Sequence, residues 1–87
     1  MAKHQYVRAS NGIGIKFRSR YKSHSFYNVY LPGSSEPREL RHADDGRVDM
    51  QYGGEVSAEI AAAFEEYKAA EQAAYLQWRQ DNASLFA

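Results

Sequence analysis

Basic side chains occupy every second position in the middle of one stretch of the chain, Ile15 to Tyr30, and aromatic residues lie among and after them. The basic residues are Lys16, Arg18, Arg20 and Lys22, and the aromatic residues are Phe17, Tyr21, Phe26, Tyr27 and Tyr30. Lysine and arginine neutralise phosphates and release their counterions. Tyrosine and phenylalanine stack on unpaired bases. This combination indicates a surface that binds a polyanion.

The stretch belongs to an N-terminal part of the chain that has no carboxylate side chain. Residues 1–35 contain six lysines and arginines and no aspartate or glutamate, whereas all eleven acidic residues lie in 36–87. The zero net charge therefore arises from two oppositely charged parts that cancel. Such asymmetry predicts either an anionic partner, which is nucleic acid or an acidic protein surface, or an attraction between the two parts.

Alternating apolar and polar residues predict the sheet that presents these side chains. Residues 5–17 read as a hairpin with the three-residue loop 10–12, in which Gly12 takes the left-handed position. This register pairs Val7 with Ile15 and Gln5 with Phe17. A second hairpin joins 38–42 to 47–52 through the loop 44–46. A middle strand is expected at 26–31, and 19–25 is expected to form an exposed loop.

The remainder of the chain predicts one long helix. Ser57 is the expected N-cap, and alanine- and glutamate-rich sequence with helical spacing continues from 58 to about 82. The predicted fold class is therefore α+β, with an antiparallel sheet of about five strands at 4–52 packed against one C-terminal helix. The whole chain, 1–87, is expected to form one domain.

The predicted hairpin assigns residues to a solvent face of the sheet. Gly14 lies opposite Arg8 and leaves room for a ligand backbone to approach this face. We expect the binding surface for nucleic acid or another anionic partner to comprise Tyr6, Arg8, Lys16, Arg18, Arg20, Tyr21, Lys22 and Phe26.

The predicted helix is longer than the predicted sheet. Twenty-five helical residues span about 37 Å, whereas five strands of six residues give a sheet about 20 Å by 24 Å. Glu71 falls inside the apolar stripe of the helix, and Leu76 falls on the opposite side. We expect a contact with a second copy or another protein at Glu71, Tyr75, Leu76 and Trp78.

The sequence offers little for catalysis. There is no cysteine, which excludes disulfides and thiolate sites. His42, Asp44, Asp45 and Asp49 form the one local histidine–carboxylate group, and we interpret them as turn and sheet-surface residues. We therefore expect a protein that is not an enzyme and needs no metal or cofactor. With no signal-peptide pattern and no long apolar run, a cytoplasmic location and no membrane contact are expected.

The stretch "QYVRASNGIGIKFRSR" resembles the arm-type DNA-binding domains of phage integrases, which have a small antiparallel sheet with a basic outer face followed by one helix. The resemblance implies DNA binding by that face, although five strands and a long acidic helix depart from the pattern. The first hypothesis is therefore a small nucleic-acid-binding module. The alternative is a stand-alone protein-binding inhibitor of the phage anti-defence type, similar in size to anti-CRISPR proteins, acting through the basic hairpin, the acidic helix, or both.

Overall fold

The protein has an α+β fold, in which a five-stranded antiparallel sheet is followed by one long helix. The computed structural model describes residues 6–86, without the side chain of Phe86. The strands are β1 (Tyr6–Arg8), β2 (Gly14–Tyr21), β3 (His24–Tyr30), β4 (Arg38–Ala43) and β5 (Val48–Met50), and the helices are α1 (Ala58–Asp81) and a short 3₁₀ helix (Ala83–Phe86). The strands lie in sequence order, each hydrogen-bonded to the next. This architecture confirms the predicted fold class.

The two hairpins have the predicted registers. Val7 pairs with Ile15 in the first hairpin, and Leu40 pairs with Met50 in the second. The expected pairing of Gln5 with Phe17 lies outside the described residues. Both loops end in a left-handed glycine, Gly12 at φ 89° and Gly46 at φ 97°. A residue with a Cβ is strained there, so these glycines specify the three-residue loops and the register that follows from them.

The middle of the sheet differs from its prediction. Residues 19–25, expected to form a loop, are mostly strand, because β2 continues to Tyr21 and β3 begins at His24. A tight turn at Lys22 and Ser23 joins the two strands, with Lys22 in the left-handed region at φ 55°. The predicted loop is therefore wrong, and β2 and β3 are the longest pair in the sheet.

Helix α1 begins and ends close to the predicted limits. The hydroxyl of Ser57 accepts a hydrogen bond from the backbone N–H of Ile60 at 3.1 Å, which confirms the N-cap. At the other end, Asn82 caps the helix by donating to the carbonyl oxygen of Trp78 through its backbone and its side chain. Capping groups therefore satisfy backbone groups at both ends of the helix.

The core lies between one face of the sheet and the first half of α1. Tyr27, at the centre of the sheet, packs its ring against Phe64 and Tyr67, with centroids 5.0 Å and 5.3 Å away. The other buried apolar residues of this cluster are Ala9, Ile13, Ile15, Val29, Leu40, Met50, Ile60 and Ala63. Every fully buried residue of α1 lies between Ile60 and Tyr67. The second half of the helix, 71–81, is covered only partly.

The loop of the first hairpin is fastened to α1 by hydrogen bonds. The carboxylate of Glu66 accepts from the backbone N–H of Ser10 at 2.9 Å and from its hydroxyl at 2.7 Å. The side-chain amide of Asn11 donates to the carbonyl oxygen of Glu59 at 2.9 Å. The two bonds from Ser10, first the hydroxyl and then the backbone, lower the pKa of Glu66 below its ordinary value. The ionised carboxylate therefore holds the β1–β2 loop against the helix.

We expect Phe64→Ala to destabilise the protein by about 3–5 kcal/mol, because it removes a fully buried ring from the centre of the core. The matched change Leu76→Ala, on the same helix, should shift the free energy of unfolding by no more than about 0.5 kcal/mol, because that side chain is exposed. Urea unfolding followed by circular dichroism measures both. Equal losses would contradict the assignment of the core to the first half of α1.

We expect Glu66→Gln to alter the pH dependence of stability. A carboxyl with a lowered folded-state pKa stabilises the fold above its unfolded pKa, and this contribution disappears as the pH falls through the folded pKa. The melting temperatures of wild type and variant should therefore differ most near neutral pH and converge in acid. Ser10→Ala should reproduce part of the effect, and the double variant should add little. Melting curves that stay equally separated at every pH would refute this role.

Candidate nucleic-acid interface

The outer face of the sheet, opposite α1, contains most of the predicted contact residues. Here "outer face" denotes the side of the sheet that points away from α1, and its residues form three cross-strand rows. One cross-strand row is Tyr6, Lys16, Asn28 and Glu39, and the next is Arg8, Gly14 and Tyr30. A third row holds Ser19, Phe26, Arg41 and Asp49. Strand alternation places these side chains together because their neighbours along each strand fill the core.

A β-bulge moves one predicted residue to the other side of the sheet. The register between β2 and β3 shifts between Phe17 and Ser19, so Arg20 pairs with Ser25. Arg20 therefore lies on the side of the sheet that faces α1, beside Tyr27 and Glu71. Its placement with the outer-face residues does not hold, since the bulge adds one residue to the strand and reverses the alternation. Tyr21, one position later, pairs with His24 on the outer face.

Two of the predicted cations are paired with acids of the second hairpin. Arg18 forms an ion pair with Glu39 of β4. Arg20 donates to both carboxylate oxygens of Asp44, at 2.8 Å and 2.6 Å, and this bond is the main cause that raises its pKa. The acid-free part of the chain therefore receives its counter-charges from β4 and the loop after it. The Arg20–Asp44 pair is largely exposed and contributes little stability, whereas Glu39 has only 15% of its side chain exposed.

Three predicted cations keep their charge uncompensated. Within residues 6–86, no carboxylate lies within the 4.0 Å ion-pair distance of Arg8, Lys16 or Lys22. Arg8 and Lys16 stand on adjacent rows of the outer face, and Lys22 lies in the turn, with its ammonium 5.4 Å from the centroid of the Tyr21 ring. These three side chains can bind an anion without first breaking an ion pair.

Aromatic rings accompany the free cations. Tyr6 lies 6.1 Å from Tyr30, and its ring crosses Gly14, where a Cβ atom would collide with the Tyr6 hydroxyl. The space beside Gly14 is therefore occupied by the Tyr6 ring, whereas the sequence analysis predicted that a ligand backbone would approach there. Phe26 lies 6.4 Å from the His24 ring, near the other end of the face.

A second aromatic group includes a residue that the sequence interpretation missed. A shallow groove of 270 Å³ is lined by Arg18, Ser19, Tyr21, Phe26, Gln51 and Tyr52. Tyr21 is 66% exposed and Tyr52 is 81% exposed, which is unusual for rings of this size. Tyr52 lies two residues after β5 and directly before two glycines, so an aromatic residue close to the end of a strand was the available signal. The groove gives a flat ring access from solvent.

The four residues predicted for a helix interface do not form one patch. Tyr75 and Trp78 are half-buried and stacked on each other at 6.4 Å. Leu76 is 52% exposed and lines a separate open groove of 560 Å³ with Ala73, Gln77, Arg79 and Gln80. Glu71 faces the sheet and accepts a hydrogen bond from the Tyr67 hydroxyl at 3.4 Å. Of these four residues, only Leu76 has the solvent-exposed side chain that a contact with a partner requires.

The three aspartates of the predicted histidine–carboxylate group form separate ion pairs with arginines. His42 is half-buried on the helix side of the sheet and packs edge-on against Phe64, so its interpretation as a surface residue is wrong. Asp49 pairs with Arg41 on the outer face, Asp44 with Arg20, and Asp45 with Arg47. In the part of the chain that the structure describes, no group of three His, Asp or Glu side chains is arranged to hold a metal ion.

Comparison with known proteins gives no relative for this chain. No protein-family model, curated protein or solved structure matches it. Over residues 6–86, no helix has both the length and the apolar composition needed to cross a bilayer.

Proposed function

We propose that the protein is a non-catalytic module that binds single-stranded nucleic acid on the outer face of its sheet. The observation that supports this proposal is the placement of exposed rings and uncompensated cations on one face of the sheet. Tyr6, Tyr21 and Tyr52 are exposed, and Arg8 and Lys16 have no carboxylate partner among the described residues. The opposite face packs against α1 and forms the core, so it offers no continuous surface along which a nucleic-acid strand could lie.

The balance of rings and charges favours a single strand over a duplex. Binding to duplex DNA depends mainly on many phosphate contacts. The outer face offers few cations for that purpose, because Arg18 and Arg41 are already paired with Glu39 and Asp49. Stacking of an unpaired base on an aromatic side chain contributes about 1–3 kcal/mol and needs only an accessible ring. The groove between Tyr21 and Tyr52 is the proposed position for one such base.

We expect the chain to bind a fluorescent single-stranded oligonucleotide with a modest salt dependence. If Arg8, Lys16 and Lys22 contact three phosphates, the logarithm of affinity should fall with the logarithm of salt with a slope of about −2. Arg8→Gln with Lys16→Gln should bring the slope to about −0.7. Tyr21→Ala and Tyr52→Ala should each weaken binding about tenfold or more. Anisotropy titrations at several salt concentrations measure all of these effects.

The matched control also removes two cations, Arg20 and Lys68, which pair with Asp44 and Glu65; Arg20 lies on the helix side of the sheet and Lys68 lies on α1. Arg20→Gln with Lys68→Gln should keep the wild-type slope. A wild type that binds neither DNA nor RNA at low salt would exclude the proposal and leave an acidic protein surface as the ligand of the basic face. Tighter binding to duplex than to single strands would contradict the stacking role.

A second candidate is protein contact through the second half of α1, either with another copy or with a target of an inhibitor. The observation that favours it is Leu76, a large apolar side chain that is 52% exposed at a groove whose other lining residues include Ala73 and Gln80. Burial of apolar surface is the dominant favourable contribution to most protein–protein association. Docking there would depend little on salt, which separates it from phosphate binding.

We expect Leu76→Glu to abolish self-association if two copies meet through this groove, because a charge would replace the central apolar contact. Sedimentation velocity over a range of protein concentrations measures the change, and Gln72→Glu, at another exposed position of the helix, provides the matched added charge. A wild type that stays monomeric at high micromolar concentration would remove the homodimer.

A further inference from the structure

A recess of 240 Å³ opens between the sheet and α1, on the side opposite the outer face. Its lining residues are Phe17, Arg20, Ser25, Tyr27 and Glu71. This volume falls below the range of about 300–1,000 Å³ that is usual for drug-sized ligands and suits a small head group such as an amine or a guanidine.

Of the two charged side chains that line the recess, Arg20 has an ion-pair partner and Glu71 has none among the described residues. Glu71 is half-buried, and in the described part of the chain its carboxylate has one hydrogen bond, a long one of 3.4 Å from Tyr67, and no cation within 4.0 Å. Arg20 is held by Asp44 through two bonds and donates to Ser25 at 3.1 Å. The Arg20–Asp44 pair is neutral, so Glu71 leaves the recess with one negative charge.

The phenol groups near Glu71 stay neutral and act only as hydrogen-bonding and aromatic groups. Burial, followed by the negative charge of Glu71, raises the pKa of Tyr27 above its ordinary value. The same two causes, in the same order, raise the pKa of Tyr67. The recess therefore combines a carboxylate without a counter-ion, hydroxyl groups and the aromatic side chains Phe17 and Tyr27.

We propose that this recess binds a guanidinium group, with Glu71 as its counter-ion and Phe17 and Tyr27 as its aromatic walls. A guanidinium is planar, has several N–H donors and is weakly hydrated, so it can pair with a carboxylate while it stacks on a ring. A quaternary ammonium has no N–H to donate to Glu71. The group could belong to a small guanidine or to an arginine of another protein. The inference is independent of the outer face, which lies on the other side of the sheet.

The test is an NMR titration of the ¹⁵N-labelled full chain with methylguanidinium chloride, below denaturing concentrations and compared with sodium chloride. We expect saturable shifts of the backbone amides of Phe17, Ser25 and Tyr27, with a millimolar Kd. Glu71→Gln should weaken binding about tenfold or more, because the charged partner is lost. Glu65→Gln, at an exposed position of the same helix, should bind like the wild type.

A second variant and a second ligand complete the experiment. If Glu71→Gln does not fold, as judged by circular dichroism, Phe17→Leu tests the aromatic wall and should weaken binding several-fold. N-acetyl-argininamide that binds more than tenfold tighter than methylguanidinium would identify an arginine side chain as the ligand, and equal binding would identify a small guanidine. Shifts that match those with sodium chloride, or equal binding by wild type and a folded Glu71→Gln or Phe17→Leu protein, would overturn the proposal. Absence of saturable binding would do the same.

Discussion

The fold depends on the packing of one ring, Tyr27, against the first half of α1. Its centroid lies 5.0 Å from Phe64, 5.3 Å from Tyr67 and 5.7 Å from Phe17, so this side chain of the central strand contacts two rings of the helix and one ring of β2. A domain of this size has room for only one such cluster. The phenolic hydroxyl of a buried tyrosine also needs polar neighbours. The apolar core therefore ends beside Tyr27, and a polar recess that contains Glu71 and Arg20 begins there.

Because α1 covers one face of the sheet, strand alternation decides which side chains lie in solvent on the other face. Each strand alternates, so the side chains that fill the core at Ile15 and Val29 place Lys16 and Asn28 in solvent. The rings on that side gain little from burial and remain exposed, as Tyr6 and Tyr21 show. Because the hydrogen-bonded sheet fixes the backbone of these aromatic residues, less ordering is needed when a ligand binds, which reduces the entropic cost of binding.

Local patterns predicted most of the fold, and long-range effects account for the errors. Left-handed glycines and period-two alternation gave the registers of both hairpins, and the cap at Ser57 gave the start of α1. The β-bulge after Phe17 left no trace in the sequence, because basic residues continue at every second position through it. Arg20 was therefore expected in an exposed loop, whereas it lies in β2 on the side of the sheet that faces α1. Tyr52 was missed because its place beside Phe26 depends on how the chain leaves β5.

The distribution of acids explains why some cations of the basic segment remain free. Among the cross-strand rows of the outer face, the acidic side chains lie on β4 and β5, where Glu39 forms an ion pair with Arg18 and Asp49 forms one with Arg41. The row of Arg8 continues through Gly14 and Tyr30 and contains no carboxylate. On the row of Lys16, the one acid is Glu39, which already has a partner. Pairing across the sheet thus neutralises the side of the second hairpin and leaves positive charge beside β1, next to the rings of Tyr6 and Tyr30. This residual charge, more than the basic composition of the segment, is what an anionic ligand would meet.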